Sequence, residues 1–329
     1  MPEINPTLSP DFSKPQLFLA DVNHLDQRID NYLLSILKGV PKSRIYKLLR
    51  KGEVRVNKKR IKPTYRLAQG DIVRLPPVRV SQVDKPEDIQ QSRLKLIEDN
   101  IIYEDKALIV INKPSGIAVH GGSGISYGVI EIMRQLKKLT YLELVHRLDR
   151  ETSGCLMIAK KRSMLKHLHG LFQTNKITKK YWALVDGQWD KSAKSVKVPL
   201  QKNHLSSGER IVKVDVDGKP SKTQFRVIQS TKDASLIEAH PLTGRTHQIR
   251  VHATYAGHAI AGDEKYAEQA VIKKFKKVGL KRLFLHAHLL SFALPDSDER
   301  ITIEAPLNKN LEPVVRKLFG DISEQIRFK

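Results

Sequence analysis

The stretch LVHRLDRETSG, Leu144–Gly154, sets Asp149 between Arg147 and Arg150 and follows it with Thr152, Ser153 and Gly154. A carboxylate beside arginines in a turn is by default a solvated ion pair of little energetic weight, so any larger role has to come from its surroundings. On both sides, short alternating apolar segments recur: IIYEDKALIVINKP, TYLELV, SGCLMIAKK, KYWALVDGQW, SLIEAHPL and ERITIEAPL. They read as strands. Between two of them lies a helix with Ser163 as its cap and Leu165, Leu168, Leu171 and Phe172 as its apolar stripe. The pattern predicts an α+β domain over residues 93–329, with a large mixed or antiparallel sheet and flanking helices instead of alternating βαβ units.

Upstream the character changes. Between Asp21 and Val83 stand 15 Lys and Arg against 5 Asp and Glu, so about a fifth of the chain holds over two-fifths of its net charge of +23. Leu25, Ile29, Leu33 and Ile36 recur at helical spacing, and a second helix runs from Ser43 as N-cap to Gly52. On that helix Arg44, Lys47 and Lys51 share one face, and Ile45, Leu48 and Leu49 another. EVRVNKKRI and YRLAQGDIVRL, with turn chemistry at Asn57 and at Gly70–Asp71, add a small sheet. The predicted organisation is an N-terminal extension over 1–20, a basic module over 21–83, a polar linker over 84–92 and the larger domain beyond.

Composition narrows the function classes. In a chain of 329 residues with a pI near 9.9, 40 % hydrophobic residues are enough for a core, and the charge points to a polyanionic partner. One cysteine, Cys155, excludes a disulfide framework. The start MPEINPTLSP has neither a charged nor an apolar leader region, and no apolar run approaches the length of a membrane span, so a cytoplasmic protein without a membrane partner is expected. HGGSG at His120–Gly124 has no G-x-S-x-G partner motif, HRLD departs from the kinase order H-R-D, and no Walker A sequence occurs. His286 and His288 share a strand face but lack a Cys or carboxylate at short spacing, so no metal site is expected.

The basic module resembles the S4 (α-L) RNA-binding domain in RIDNYL at 28–33, SRIYKLLRKGEVRVN at 43–57 and GDIV at 70–73. Residues 93–329 resemble the pseudouridine synthases of the RluA group in INKPSGIAVHGG at 111–122, HRLDRETSG at 146–154, KKYWALVDG at 179–187 and TGRTHQIRVH at 243–252. SGCLMIAKKRSMLKHLHG at 153–170, with SGERIVKV and GKPSKTQF between 207 and 225, is similar to the subgroup acting on 23S rRNA. An RluD-like synthase acting on other 23S uridines, and a catalytically silent ribosome-assembly factor, are the alternatives.

The resemblance implies an isomerase that breaks the C1′–N1 bond of a uridine, turns the uracil and joins C5 to C1′, with no cofactor and no metal. It implies 23S rRNA or a large-subunit assembly intermediate as partner, and a monomer. It makes Asp149 the catalytic aspartate, as nucleophile at C1′ or as base, Tyr181 the ring that packs on the uracil, and Arg250 the counter-ion of Asp149. Arg147 would fill the stack vacated by the extruded base. Arg245 and His247 would shape the site, and Arg150 would meet a phosphate or solvent. Gly121 and Gly122 would permit close backbone approach. In the S4 module Arg44, Lys47, Lys51, Arg55, Lys58 and Lys59 would meet RNA phosphates. A buried carboxylate is destabilised by up to about 3–5 pKa units, and a cation at ~4 Å returns about 3 of them, which is the physical sense of the Asp149–Arg250 pairing.

Overall fold

The computed structural model describes residues 12–37, 39–78, 89–121, 127–139, 141–204, 210–295, 297, 299–322 and 324–326, and divides into units 1–89 and 90–329. In the first unit, β1 (Gln16–Leu19), β2 (Arg55–Val56), β3 (Lys59–Arg60) and β4 (Ile72–Leu75) form an antiparallel sheet in the order β1-β4-β2-β3. Residues 16–19, which the sequence reading left in the N-terminal extension, pair along the whole of β4, from Gln16 opposite Leu75 to Leu19 opposite Ile72. The hairpin between β2 and β3 turns on Asn57 and Lys58 at φ 49° and 66°, the left-handed backbone that two-residue hairpins require. Val73 and Leu75 alternate inward and pack with Ile29 and Leu33 of α1 (Ile29–Ile36) and with Ile45, Leu48 and Leu49 of α2 (Lys42–Lys51).

Helix α2 starts earlier than its serine suggests. The Pro41 carbonyl already accepts from the amides of Arg44 and Ile45, so Pro41 is the cap and Ser43 lies inside the helix. Leu25 likewise lies outside α1, at the end of a 3₁₀ turn.

The second unit runs α3 (Gln91–Glu98), β5 (Ile101–Glu104), β6 (Leu108–Lys113), α4 (Val129–Lys137), β7 (Glu143–Leu144), β8 (Ser153–Ala159), α5 (Arg162–Gln173), β9 (Thr178–Asp186) and β10 (Ser195–Lys197). It continues with β11 (Leu200–His204), β12 (Arg210–Val214), β13 (Lys222–Ser230), β14 (Ala234–Pro241), α6 (Gln248–Tyr255), α7 (Gln269–Lys277), β15 (Leu285–Ala293), β16 (Arg300–Glu304) and α8 (Glu312–Phe319). Gln91 and Ser92, assigned to the linker, open α3. Of the rest of that linker, residues 84–88 lie outside the described residues. The main sheet has the order β10-β13-β14-β9-β15-β8-β6-β5, with β16 on β15 and β7 on β8, and it is mixed because β15 and β8 run parallel. Helix α5 begins at Arg162 with Lys161 as cap, since the Lys161 carbonyl accepts from Leu165; Ser163 is again within the helix.

Alternation along β9 divides the core. Trp182 and Leu184 pack with Phe275 of α7 and Val314 and Val315 of α8, whereas Ala183 and Val185 pack with Ile249 and Ala253 of α6, and Tyr181 joins this second group. The sheet face that carries α6 therefore carries Tyr181. On β8, Cys155 is fully enclosed among Leu108, Met157, Leu168 and Phe292, and burial pushes its thiol up to about 12. Among the described residues no helix is long and apolar enough to cross a membrane.

Candidate active site

The loop that carries Asp149 is anchored at both ends. Lys113, at the end of β6 and fully buried, donates from Nζ to the carbonyls of Pro114, Ile117 and Arg150 at 2.9, 2.8 and 3.0 Å. Burial draws its pKa down to about 7, yet three carbonyl acceptors match the three N–H of an ammonium, so the charged form is the one this cage holds. At the other end, Gly154 has φ 108°, and a Cβ there would run into the Ala287 carbonyl. That close approach joins β8 to β15 directly after the loop. It is the physical reason for glycine in this position.

Asp149 itself is 21 % exposed, and its carboxylate accepts no hydrogen bond from a described residue. Two nitrogens approach one oxygen: His247 Nε2 at 3.8 Å and the cationic Arg250 Nη1 at 3.9 Å, both too long for hydrogen bonds. The expected Asp149–Arg250 pairing is thus present as a Coulombic contact. The tight partner of Arg250 is a different residue, Asp263, which it grips in bidentate fashion through Nε and Nη2 at 2.7 Å each. The Asp263 side chain is 0 % exposed and also accepts from the amides of Lys265 and Tyr266. The Arg250 guanidinium lies over the Tyr266 ring at 4.9 Å. Asp263 and Tyr266 therefore fix where Arg250 can point, and leave Nη1 directed at Asp149.

His247, the cap of α6, adopts a left-handed backbone at φ 54°, uncommon outside glycine. Its Nδ1 meets the Tyr266 hydroxyl at 2.7 Å. Burial, the largest influence, holds its pKa below the ordinary histidine value, so the ring beside Asp149 is neutral at pH 7. Gln248 locks the preceding loop, accepting from Thr243 Oγ1 and the Arg245 amide and donating to the Lys222 carbonyl and Thr223 Oγ1.

A cavity of about 420 Å³ opens on Asp149 and is lined by Tyr181, Phe172, Thr243, His247 and Arg250 among others. Burial raises the Tyr181 phenol well above its ordinary value, with Asp149 adding to the shift, so the ring is a neutral phenol. A second cavity, of about 750 Å³, shares Arg147, Asp149, His247 and Arg250 with the first and continues past Gly262 and Asp263 to Arg282. Gly262, at φ 75°, lies so close to Arg282 that a Cβ would strike its carbonyl.

The remaining expected residues divide. Arg147 is exposed and lines both cavities. Arg150 is exposed, donates to the Gly116 carbonyl and sits 3.4 Å from Glu151. Arg245 is exposed at the rim of the first cavity and donates to the Pro220 carbonyl. The Gly121 amide donates to Glu131, and Gly122 lies outside the described residues. In the first unit Arg44, Lys47, Lys51, Arg55, Lys58 and Lys59 are all exposed, with Lys51 4.0 Å from Glu53.

His286 bonds Ser153 Oγ and the Ala305 carbonyl, and His288 meets Glu238 at 3.2 Å, a carboxylate that sequence spacing hid. Among the described residues no three metal-ligating side chains cluster. Asp263, Tyr266 and Lys113 are the site residues that the sequence reading missed. Lys113 stood inside a quoted motif, and Gly262–Asp263 carried a turn signal, but only the folded chain joins them to Asp149.

A mixed sheet whose cavity is lined by a carboxylate that no described group hydrogen-bonds, by a partly buried tyrosine and by an arginine held in place defines the class. Residues 107–255 match the family model described as RNA pseudouridylate synthase, and residues 27–73 match the S4 domain. The chain belongs to the RNA pseudouridylate synthases and is an isomerase of that family. It is 54 % identical over 301 residues to the ribosomal large subunit pseudouridine synthase C of Pasteurella multocida, covering 91 % of each chain. To the enzyme of that name from Escherichia coli K12 it is 53 % identical over 296 residues, 89 % of this chain and 93 % of the relative. The solved human RNA pseudouridylate synthase domain containing 4 shares the fold at TM-score 0.57 and 27 % identity, over 69 % of this chain and 95 % of that one.

Proposed function

We propose that this chain isomerises uridines of large-subunit 23S rRNA to pseudouridine, with Asp149 as the catalytic residue. The observation that carries this reading is a carboxylate that accepts no hydrogen bond from a described residue and lines the same cavity as Tyr181. Its oxygen lone pairs are open to attack C1′ or to take a proton, and Arg250, held by Asp263, sets a positive charge 3.9 Å away without occupying them. One proton leaves C5 and one is gained at N1, so composition is unchanged and neither oxidant nor cofactor is required. The neutral Tyr181 phenol suits packing on the uracil.

The target base has to leave its stack to reach Asp149, and exposed Arg147, which lines the same cavity, fills the vacated stack in this reading. Arg245 and His247 border the base, and Arg150 reaches solvent-side phosphate. The cation face of the first unit supplies sequence-independent phosphate contacts. The names of the relatives support the substrate, and the reading extends to a cytoplasmic monomer whose partner is 23S rRNA or a large-subunit assembly intermediate. Pseudouridine mapping by carbodiimide derivatisation across 23S rRNA, in cells with and without this protein, tests it. Sites lost on deletion and restored by the wild type but not by Asp149→Asn support the reading; an unchanged map overturns it.

A further inference from the structure

Arg282 sits at the far end of the second cavity in an arrangement that no internal charge completes. It is largely enclosed, yet no carboxylate among the described residues lies within ion-pairing distance of it. Its Nη1 is used twice, towards Ser153 Oγ at 3.2 Å and the Leu283 carbonyl at 3.3 Å. Ser153 is itself fixed. His286 Nε2 faces the Ala305 carbonyl and has to donate, so Nδ1 is an acceptor, the serine hydroxyl donates to it, and the serine oxygen is left to accept from Arg282. His286 stays in that neutral form because burial lowers its pKa to about 3.

This wiring leaves Nε and Nη2, three N–H groups in one plane, without a partner among the described residues, on a side chain that lines the cavity. Burial lowers the Arg282 pKa to about 10, with only Glu151 opposing the fall. The same cavity is rimmed by the exposed Lys276 and Lys281 and reaches Asp149 at its other end. A planar two-donor edge is the geometry that matches two oxygens of a phosphodiester.

We propose that Arg282 is a phosphate-binding subsite that receives, through Nε and Nη2, the phosphodiester next to the target uridine while the uracil occupies the cavity at Tyr181. The subsite rests on the substrate reading above. Because both cavities meet at Asp149, the strand enters through one and its extruded base lies in the other, and the flanking phosphate sets the depth of C1′ relative to the carboxylate. Arg282 is a positioning residue in this account, acting on the substrate backbone and not on the reacting atoms.

The test uses full-length protein and a synthetic 23S rRNA fragment in which the wild type makes pseudouridine, with a single uncharged methylphosphonate placed in turn at each linkage within two nucleotides of the target. One linkage adjoining the target is expected to raise wild-type KM about tenfold, the weight of a bidentate charge-assisted contact. Arg282→Met is expected to show that same loss on unmodified RNA and to lose nothing further at that linkage; Arg282→Lys, charged but without the planar edge, falls between. Losses that multiply in the double change, or a wild type insensitive at every linkage, overturn the subsite. If Arg282→Met melts early for want of its Ser153 and Leu283 contacts, the wild-type scan and Arg282→Lys decide, since a linkage penalty undiminished in Arg282→Lys also overturns it. A wild type that makes no product in any 23S fragment defeats the substrate reading, and the scan is then read as RNA-binding affinity, with the same criteria for Arg282.

Discussion

The two units arrange charge in opposite ways. In the first, buried carboxylates hold the fold together: Asp30 accepts from Arg28, Tyr46 and the Asn31 amide, and Asp71 from Asn57, Tyr65 and the Ala68 amide. The cations stand outside on α2 and the adjoining hairpin, with solvent around them. In the second unit the site keeps cations inside. Lys113 holds the loop of Asp149, Arg250 stands 3.9 Å from its carboxylate, which no described group hydrogen-bonds, and Arg282 lines the cavity beyond. A surface built from six solvated cations is replaceable one residue at a time, because each contributes a screened, independent term. A buried constellation has no such redundancy, because removing one member strands another in low dielectric.

The largest test of this contrast is Asp149→Asn, nearly isosteric and unable to serve as nucleophile or base. Product formation should fall by roughly a thousandfold or more, with melting temperature and RNA affinity unchanged. Turnover within about tenfold of wild type would remove Asp149 from the chemistry.

Acid should separate the units next. His146 and His252 are held by burial at about 4 and His286 at about 3, each below its unfolded value near 6.5. The unfolded chain then binds more protons, so stability is lost as pH falls from 6.5 towards 4, by about 1.4 kcal/mol per pH unit for each histidine. The Asp30 carboxylate, held low chiefly by Arg28, gives the first unit a loss only below about pH 4. Both tryptophans, Trp182 and Trp189, lie in the second unit, so their fluorescence reports it alone. A urea midpoint for that signal unchanged between pH 6.5 and 4.5 would contradict the assignment.

A smaller effect is expected at Asp263→Asn, which keeps volume and one acceptor but strands Arg250. Unfolding free energy should drop by about 3 kcal/mol, and turnover should fall as Arg250 swings away from Asp149. Calorimetry with single-turnover rates checks both, and an unaffected rate would mean Arg250 needs no second carboxylate. Smallest of all, Lys47→Ala on the exposed face should change stability by less than about 0.5 kcal/mol and flatten the log–log salt slope of RNA binding by about 0.7. A slope identical to wild type would assign Lys47 to solvent.

Much of this was legible in the chain because local rules sufficed. The apolar stripe Ile45, Leu48, Leu49 and the Asn57 turn are set by residues within one turn or one hairpin, and three of the four quoted motifs bring Asp149, Tyr181 and Arg250 to one cavity. Helix starts were displaced because the Pro41 and Lys161 carbonyls bond first, ahead of either serine. Strand β1 was missed because Leu17 and Leu19 face outward, so QLFL shows no alternation of polar and apolar types. Asp263 and Arg282 were illegible for a different reason: one follows an ordinary turn glycine, the other ends a run of lysines, and only the tertiary fold joins them to Asp149.

The enclosure of Cys155 has a practical side. As the chain's single cysteine, buried and with its thiol held up to about 12, it will resist maleimides and nitroxide reagents at neutral pH. Any cysteine placed at an exposed position becomes the sole labelling handle in an otherwise native background. A dye pair with one member on α2 and the other on a bound RNA would then follow the approach of substrate in real time.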